Sequence, residues 1–347
     1  MNHWIVRARL VLLVATLVVL GAGPTEAKTK VRYSASGDSL LFGPIYLAKD
    51  LGYFDAAGID FDSIAIAGGT QSTAALTGGS VDIIETAFSH IVKSYDAGIH
   101  LVAFAAVFEE LGLDVVVSSK TLAKSQVSSQ SPLAARAAAL KGLRIGVTSL
   151  GSTTDTFARS LLRSAGLNPD TDASLIRMGN GPGMMSGLSQ GAIDGFVFPM
   201  PFPQSAEAKG LGKVLISATR GEVPEWRGML YIVLTTTKKY IDANPAAIQG
   251  LTHAIGRSLK FIQENPEDAK NRLRKFFPKV ESEVMDLSLV SALGAYAKTP
   301  VMSREGYETA VRFLNAGSEK KYSVPFEAVV NNAFAERVAA ELGLKGK

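Results

Sequence analysis

The sequence predicts an α/β fold of two similar βαβ-type lobes joined by a hinge, with a cleft between them. Three observations predict it. Segments recur at an offset of 112 residues: Arg32 in VRYSAS matches Arg144 in LRIGVTS, and LTGGSVD (Leu76 to Asp82) matches LSQGAID (Leu188 to Asp194). Each half alternates short apolar runs with amphipathic periods, reading strand, loop, helix, strand, loop, helix, strand. Two further apolar runs, Leu113 to Val117 and Met229 to Thr235, flank the second half, so the chain passes between lobes twice.

The opening stretch has the layout of a secretory signal peptide: Arg7 and Arg9, an apolar run from Leu10 to Leu20, then small residues to Ala27. That run falls short of the roughly 20 apolar residues a membrane span needs. Residues 1–27 are therefore expected to be removed after Ala27, placing the protein in a periplasm. The chain has no cysteine, which excludes disulfides and a lipid-anchor cysteine. Removing the leader takes two arginines and one glutamate from 36 basic and 32 acidic side chains, leaving a charge of +3. So balanced a chain is not built for nucleic acid or anionic lipid, and a monomer is expected.

Along the chain, Thr29 to Ser34 reads as the first strand. The loop Ala35 to Leu41 follows, then a helix near Phe42 to Leu51 in which Pro44 suits the first turn. Ile59 to Ile66 reads as a strand, Gly68-Gly69-Thr70 as the start of a helix to Thr77, and Val81 to Ile84 as the third strand. Thr86 to Ser89 opens another helix, and Leu101 to Val107 is a fourth strand. The first lobe is expected to comprise residues 28–117 and 225–347, and the second 118–224. Ser118 to Ala139, rich in Ser, Ala and Gln, reads as an exposed connection. Beyond the return strand the chain is helical, and these helices are expected to pack on the first lobe and brace the hinge.

In sheets of this type, ligands sit at the carboxyl ends of the strands, where loops lead into helix N-termini. The loops that qualify are Ser36 to Leu41, Gly68 to Gln71 and Thr86 to Ser89 in one half, and Ser149 to Thr154, Gly179 to Gly183 and Pro199 to Phe202 in the other. Gly151-Ser152-Thr153 is the strongest of them: glycine lets the backbone approach, hydroxyls follow, and a helix N-terminus suits an oxyanion. Ser39 is the matching hydroxyl in the first half; Gln71 and Ser89 lie on the qualifying loops. A helix end contributes at most about 2 kcal/mol to a bound anion, whereas micromolar affinity needs about 8 kcal/mol. Apolar walls must add the rest, which makes Phe88, Met200, Phe202 and Trp226 candidates. Gly179 to Gly183 has the wrong spacing for a dinucleotide fingerprint. His90, His100 and His253 have no metal spacing and read as ordinary surface or core histidines, so neither a metal nor a cofactor is expected.

PIYLAKDLGYFDAAGIDF followed by GG, LTGGSVDI, and LKGLRIGV followed by a Ser/Gly/Thr helix start resemble the substrate-binding proteins of ABC importers for nitrate, sulfonates, taurine and thiamine precursors. The resemblance implies a type II periplasmic-binding-protein fold that closes on one small molecule and hands it to a permease and its ATPase. It also implies ligand contacts at Ser39, Leu40, Thr70, Phe88, Ser152, Thr153 and Asn180. No Arg or Lys falls in the expected cleft, which favours an organic molecule with one acidic group, such as a sulfonate or carboxylate, or a pyrimidine-like heterocycle. Two alternatives remain open: an enzyme of the same fold, against which the export signal argues, and a receptor serving a sensor kinase.

Overall fold

The computed structural model describes residues 28–35, 39–66 and 68–346. The expected signal peptide and Ser36 of the first loop lie outside the described residues.

Among the described residues the strands are β1 (Thr29–Ala35), β2 (Ile59–Ser63), β3 (Ile83–Ala87), β4 (Leu101–Phe108), β5 (Asp114–Ser118), β6 (Arg144–Val147), β7 (Ser174–Arg177), β8 (Gly195–Phe198), β9 (Gly212–Ser217) and β10 (Ile232–Thr237). They form two five-stranded sheets, ordered β2-β1-β3-β10-β4 and β7-β6-β8-β5-β9. Each sheet has a parallel core, β1 between β2 and β3 or β6 between β7 and β8. Into the fourth place of each, one antiparallel strand is inserted, β10 in the first and β5 in the second. The two lobes thus share one topology, as the repeat predicts.

The repeat is also visible in side chains. Asp82 accepts from the Arg32 backbone N–H at 2.9 Å and from its guanidinium at 3.0 and 2.6 Å. Asp194 does the same to Arg144 at 3.0, 2.9 and 2.8 Å. Each aspartate ties the approach of one strand to the strand beside it, so these residues staple the sheet and have no catalytic geometry. Burial opposes the ionisation of Asp82, but the Arg32 hydrogen bonds outweigh it and hold the carboxyl below its ordinary value. A lowered folded-state value means the contribution is present above the unfolded value and lost as pH falls through the folded one. Asp82→Asn is expected to cost about 1 kcal/mol at neutral pH and nothing in strong acid, read from urea midpoints at pH 7 and below pH 3.

Three sequence expectations shift. The run Leu113 to Val117, assigned above to the end of the first lobe, supplies β5, which pairs with β8 and β9; the chain has joined the second sheet by Asp114. The third strand runs to Ala87, past the expected Ile84, because β10 pairs with Glu85, Thr86 and Ala87. The C-terminal helices do not all pack on the first lobe. Pro245–Glu264 packs there against Gly43–Asp50 and Ala333–Leu342, whereas Arg304–Gly317 lies mainly on Thr153–Ser164 of the second lobe. Its Phe313 meets Phe157 at 6.4 Å, while its Tyr307 meets Phe88 of the first lobe edge-on at 5.6 Å. This helix straps the two lobes together, its buried face shared between them.

Candidate functional site

The carboxyl ends of β1, β3, β6 and β8 face one another across the lobe interface around a half-open cavity of about 70 Å³. That volume holds a few water molecules, far below the several hundred Å³ of a site for a drug-sized ligand. Three helices of nine residues or more begin at its wall: Gly69–Thr77, Phe88–Asp96 and Thr153–Ser164. The first two open on Gly68 and Ala87 without a side-chain cap, and Ser152 caps the third through Asp155 N–H at 3.4 Å. Their positive ends converge on one small volume.

Hydroxyls dominate the polar lining: Ser39, Thr86 and, from the other lobe, Thr148, Ser152, Thr153 and Thr154. Leu41, Phe42, Leu113, Phe198 and Ile232 supply apolar wall. Among the described residues, no lysine, arginine or carboxylate lines the cavity. The lobes already touch around it. Ser39 Oγ donates to Met200 O at 3.0 Å, and the Ser89 and Thr153 hydroxyls are 3.2 Å apart. Thr70 and Ser149 hydroxyls stand 3.4 Å apart, and Lys93 Nζ reaches Gly151 O at 2.8 Å. Burial pushes the Lys93 ammonium below its ordinary value, with Asp155 opposing.

The structure brings Ser39, Ser152 and Thr153 to the cavity wall. Thr70, Ser89 and Gly151 sit in the ring of contacts around it, Gly151 at φ +76°, a left-handed conformation that favours glycine. The remaining candidates lie elsewhere. Leu40 is fully buried in the first lobe, and its carbonyl accepts from Tyr296 Oη at 2.6 Å. Phe88 is equally buried, its ring turned onto Tyr307, because the first residue of that helix faces the strap. Met200 offers only its backbone carbonyl, its side chain being core. Phe202 packs edge-on against Phe198 at 5.3 Å, and Trp226 against Phe313 at 5.4 Å. Asn180 caps the helix Gly181–Ser189 by accepting from Gly183 N–H at 2.9 Å, outside the cavity lining. Gln71 is likewise outside that lining, its side chain beside Gly68.

His90, expected to be ordinary, is a wall residue of the cavity. Burial, with Lys93 adding to it, pushes its imidazole down to about 3, so it is neutral at physiological pH. Its position two residues into the helix that follows Thr86 was the available signal. The absence of a metal-ligand spacing concealed it.

Comparison with known proteins agrees with this architecture. YtlA of Bacillus subtilis (strain 168), which carries the provisional name of a binding protein, is 20% identical over 323 residues, covering 91% of this chain and 92% of YtlA. A solved structure of a protein from Bordetella bronchiseptica RB50 superposes with a TM-score of 0.81 at 26% identity, covering 91% of this chain and 99% of that one. The alkanesulfonate-binding protein SsuA from Xanthomonas axonopodis pv. citri, solved bound to MOPS, superposes with a TM-score of 0.69 at 16% identity, covering 88% and 100%. Residues 39–274 match the family model described as the NMT1-like family. With nine of the ten described strands and all the cavity loops of the described residues inside that match, the chain belongs to the NMT1-like family.

Proposed function

We propose that this protein is a periplasmic solute receptor that captures a compact organic anion, a small sulfonate or carboxylate, between its lobes and delivers it to an ABC importer. The observation that carries the reading is the convergence of hydroxyls and three helix N-termini from both lobes on one half-open cavity that no charged side chain lines among the described residues. Donors without fixed positive charge stabilise one negative charge; a second would be less well compensated in a site drawn partly out of water. The names of YtlA and SsuA support binding, and the resemblance of the LGYF and LRIGV segments to importer receptors supports the permease and ATPase as partners. The leader supports export, with Lys28 as the mature N-terminus. The accompanying division of the chain runs from lobe 1 to lobe 2 at about residue 113 and back at about residue 225.

The reading is tested with the purified protein by calorimetry against methanesulfonate, acetate and sulfate. Saturable binding of a singly charged probe without its consumption is expected, with sulfate much weaker. Consumption of a probe would turn the reading to an enzyme. Ser152→Ala and Thr153→Ala are each expected to weaken binding by about 1–3 kcal/mol; unchanged affinity in both would remove these hydroxyls from the site.

A further inference from the structure

The internal repeat supplies a control for the cavity. The helices Gly69–Thr77 and Gly181–Ser189 correspond residue for residue at the offset of 112, and at the same offset Thr86 matches Phe198 and His90 matches Phe202. In the second lobe the arrangement is a packing device: a Cβ on Gly181 would lie 2.3 Å from the Phe202 ring, which in turn rests on Phe198. In the first lobe a Cβ on Gly69 would lie 2.3 Å from His90 Nε2 and 3.0 Å from Thr86 Oγ1. The backbone geometry is preserved, but the aromatic pair has become an imidazole and a hydroxyl, and both line the cavity.

Packing does not require that exchange, because the second lobe achieves the same close approach with carbon. His90 is only 7% exposed, and its ring stands in the cavity wall. Neither ring nitrogen is among the buried unpaired polar atoms of the described residues, so the ring keeps access to the cavity, yet drawing an imidazole this far out of water still costs free energy that a phenylalanine would not. We propose that His90 is the specificity-determining residue of the cleft, donating the hydrogen bond that holds one oxygen of a compact singly charged carboxylate or sulfonate. The assignment rests on the receptor reading above. A ligand oxygen at the N-terminus of Gly69–Thr77 then meets the ring and the helix end together, and an ionised oxyanion, which only accepts, selects the tautomer with its N–H toward the cavity.

The test uses methanesulfonate and acetate as probes. His90→Phe copies the second lobe and keeps the volume. It is expected to weaken the tighter probe at least tenfold, whereas His90→Gln, which retains a donor, stays within about threefold of the parent. The ring 15N resonances of His90 in the unmodified protein are expected to move on saturation, a readout that does not depend on the variants folding. Binding that is unchanged in His90→Phe, together with unmoved ring resonances, overturns the assignment while leaving the receptor intact. Failure of the unmodified protein to bind either probe overturns the receptor reading and the assignment with it.

Discussion

Gly69→Ala is expected to abolish ligand capture while leaving a folded protein. The added methyl would sit 2.3 Å from His90 Nε2, 2.7 Å from His90 Cδ2 and 3.0 Å from Thr86 Oγ1. Gly69 is not among the positive-φ glycines, so alanine meets no backbone strain there and the conflict is confined to the cavity wall. The ring must turn into a space of about 70 Å³ or the helix must retreat from it, and either displaces the site. Overpacking of this kind costs about 1–3 kcal/mol of stability, which a protein of this size survives. Loss of the helix end and of the imidazole contact together is expected to lower affinity at least a hundredfold, about 2.7 kcal/mol or more. Calorimetry with methanesulfonate or acetate checks the affinity, and thermal unfolding checks that the fold persists. Near-parental affinity in a folded Gly69→Ala protein would move the ligand away from this wall. Gly181→Ala is the comparison, since its clash with Phe202 lies outside the cavity lining and should cost stability alone.

That contrast bears on how much of the molecule was legible beforehand. The fold was, because hydrophobic period and the 112-residue repeat are local signals, and Arg32, Asp82, Arg144 and Asp194 recur at one spacing with one geometry. Most of the cavity loops were legible too, since strand ends and Ser-rich helix starts can be placed from sequence, although Gly179 to Gly183 lies outside the lining. Which side chains face the cavity was not. Phe88 begins the right helix yet turns to Tyr307, a residue more than two hundred positions away on a strap that joins both lobes. Met200 is at the right loop and contributes a carbonyl, which composition cannot reveal. His90 was judged by metal spacing, the wrong criterion for a ring whose distinction is its place in the cavity wall. The end of β3 was missed for a related reason: Glu85, a charged residue inside an apolar run, reads as a strand terminus but is wholly buried within the sheet.

Glu85 carries the other large effect, on stability. Its carboxylate lies 2.5 Å from Tyr33 Oη, with both side chains in the core. Burial pushes the carboxyl up to about 8, against the opposing hydrogen bond from Tyr33. Between the ordinary value of 4.5 and about 8, the folded protein holds a proton that the unfolded chain has released. Stability therefore falls as pH rises through that window and levels off above it. Each unit of difference is worth about 1.4 kcal/mol, so the loss is on the order of 3–5 kcal/mol between pH 5 and pH 8. Glu85→Gln keeps an oxygen for Tyr33 and cannot ionise. It is expected to be about 1 kcal/mol less stable than the parent at pH 5, where its second amide hydrogen lacks the fit of the acid, and more stable at pH 8. Urea unfolding of both proteins at pH 5, 6.5 and 8 reads the crossing directly, and parallel slopes would mean that Glu85 is ionised in the folded state. Because Glu85 adjoins Thr86 on β3, the strand that bears the cavity wall is also the one whose anchoring depends on pH. Binding assays that compare variants of the site are therefore best run at or below neutral pH, where this strand is held most firmly.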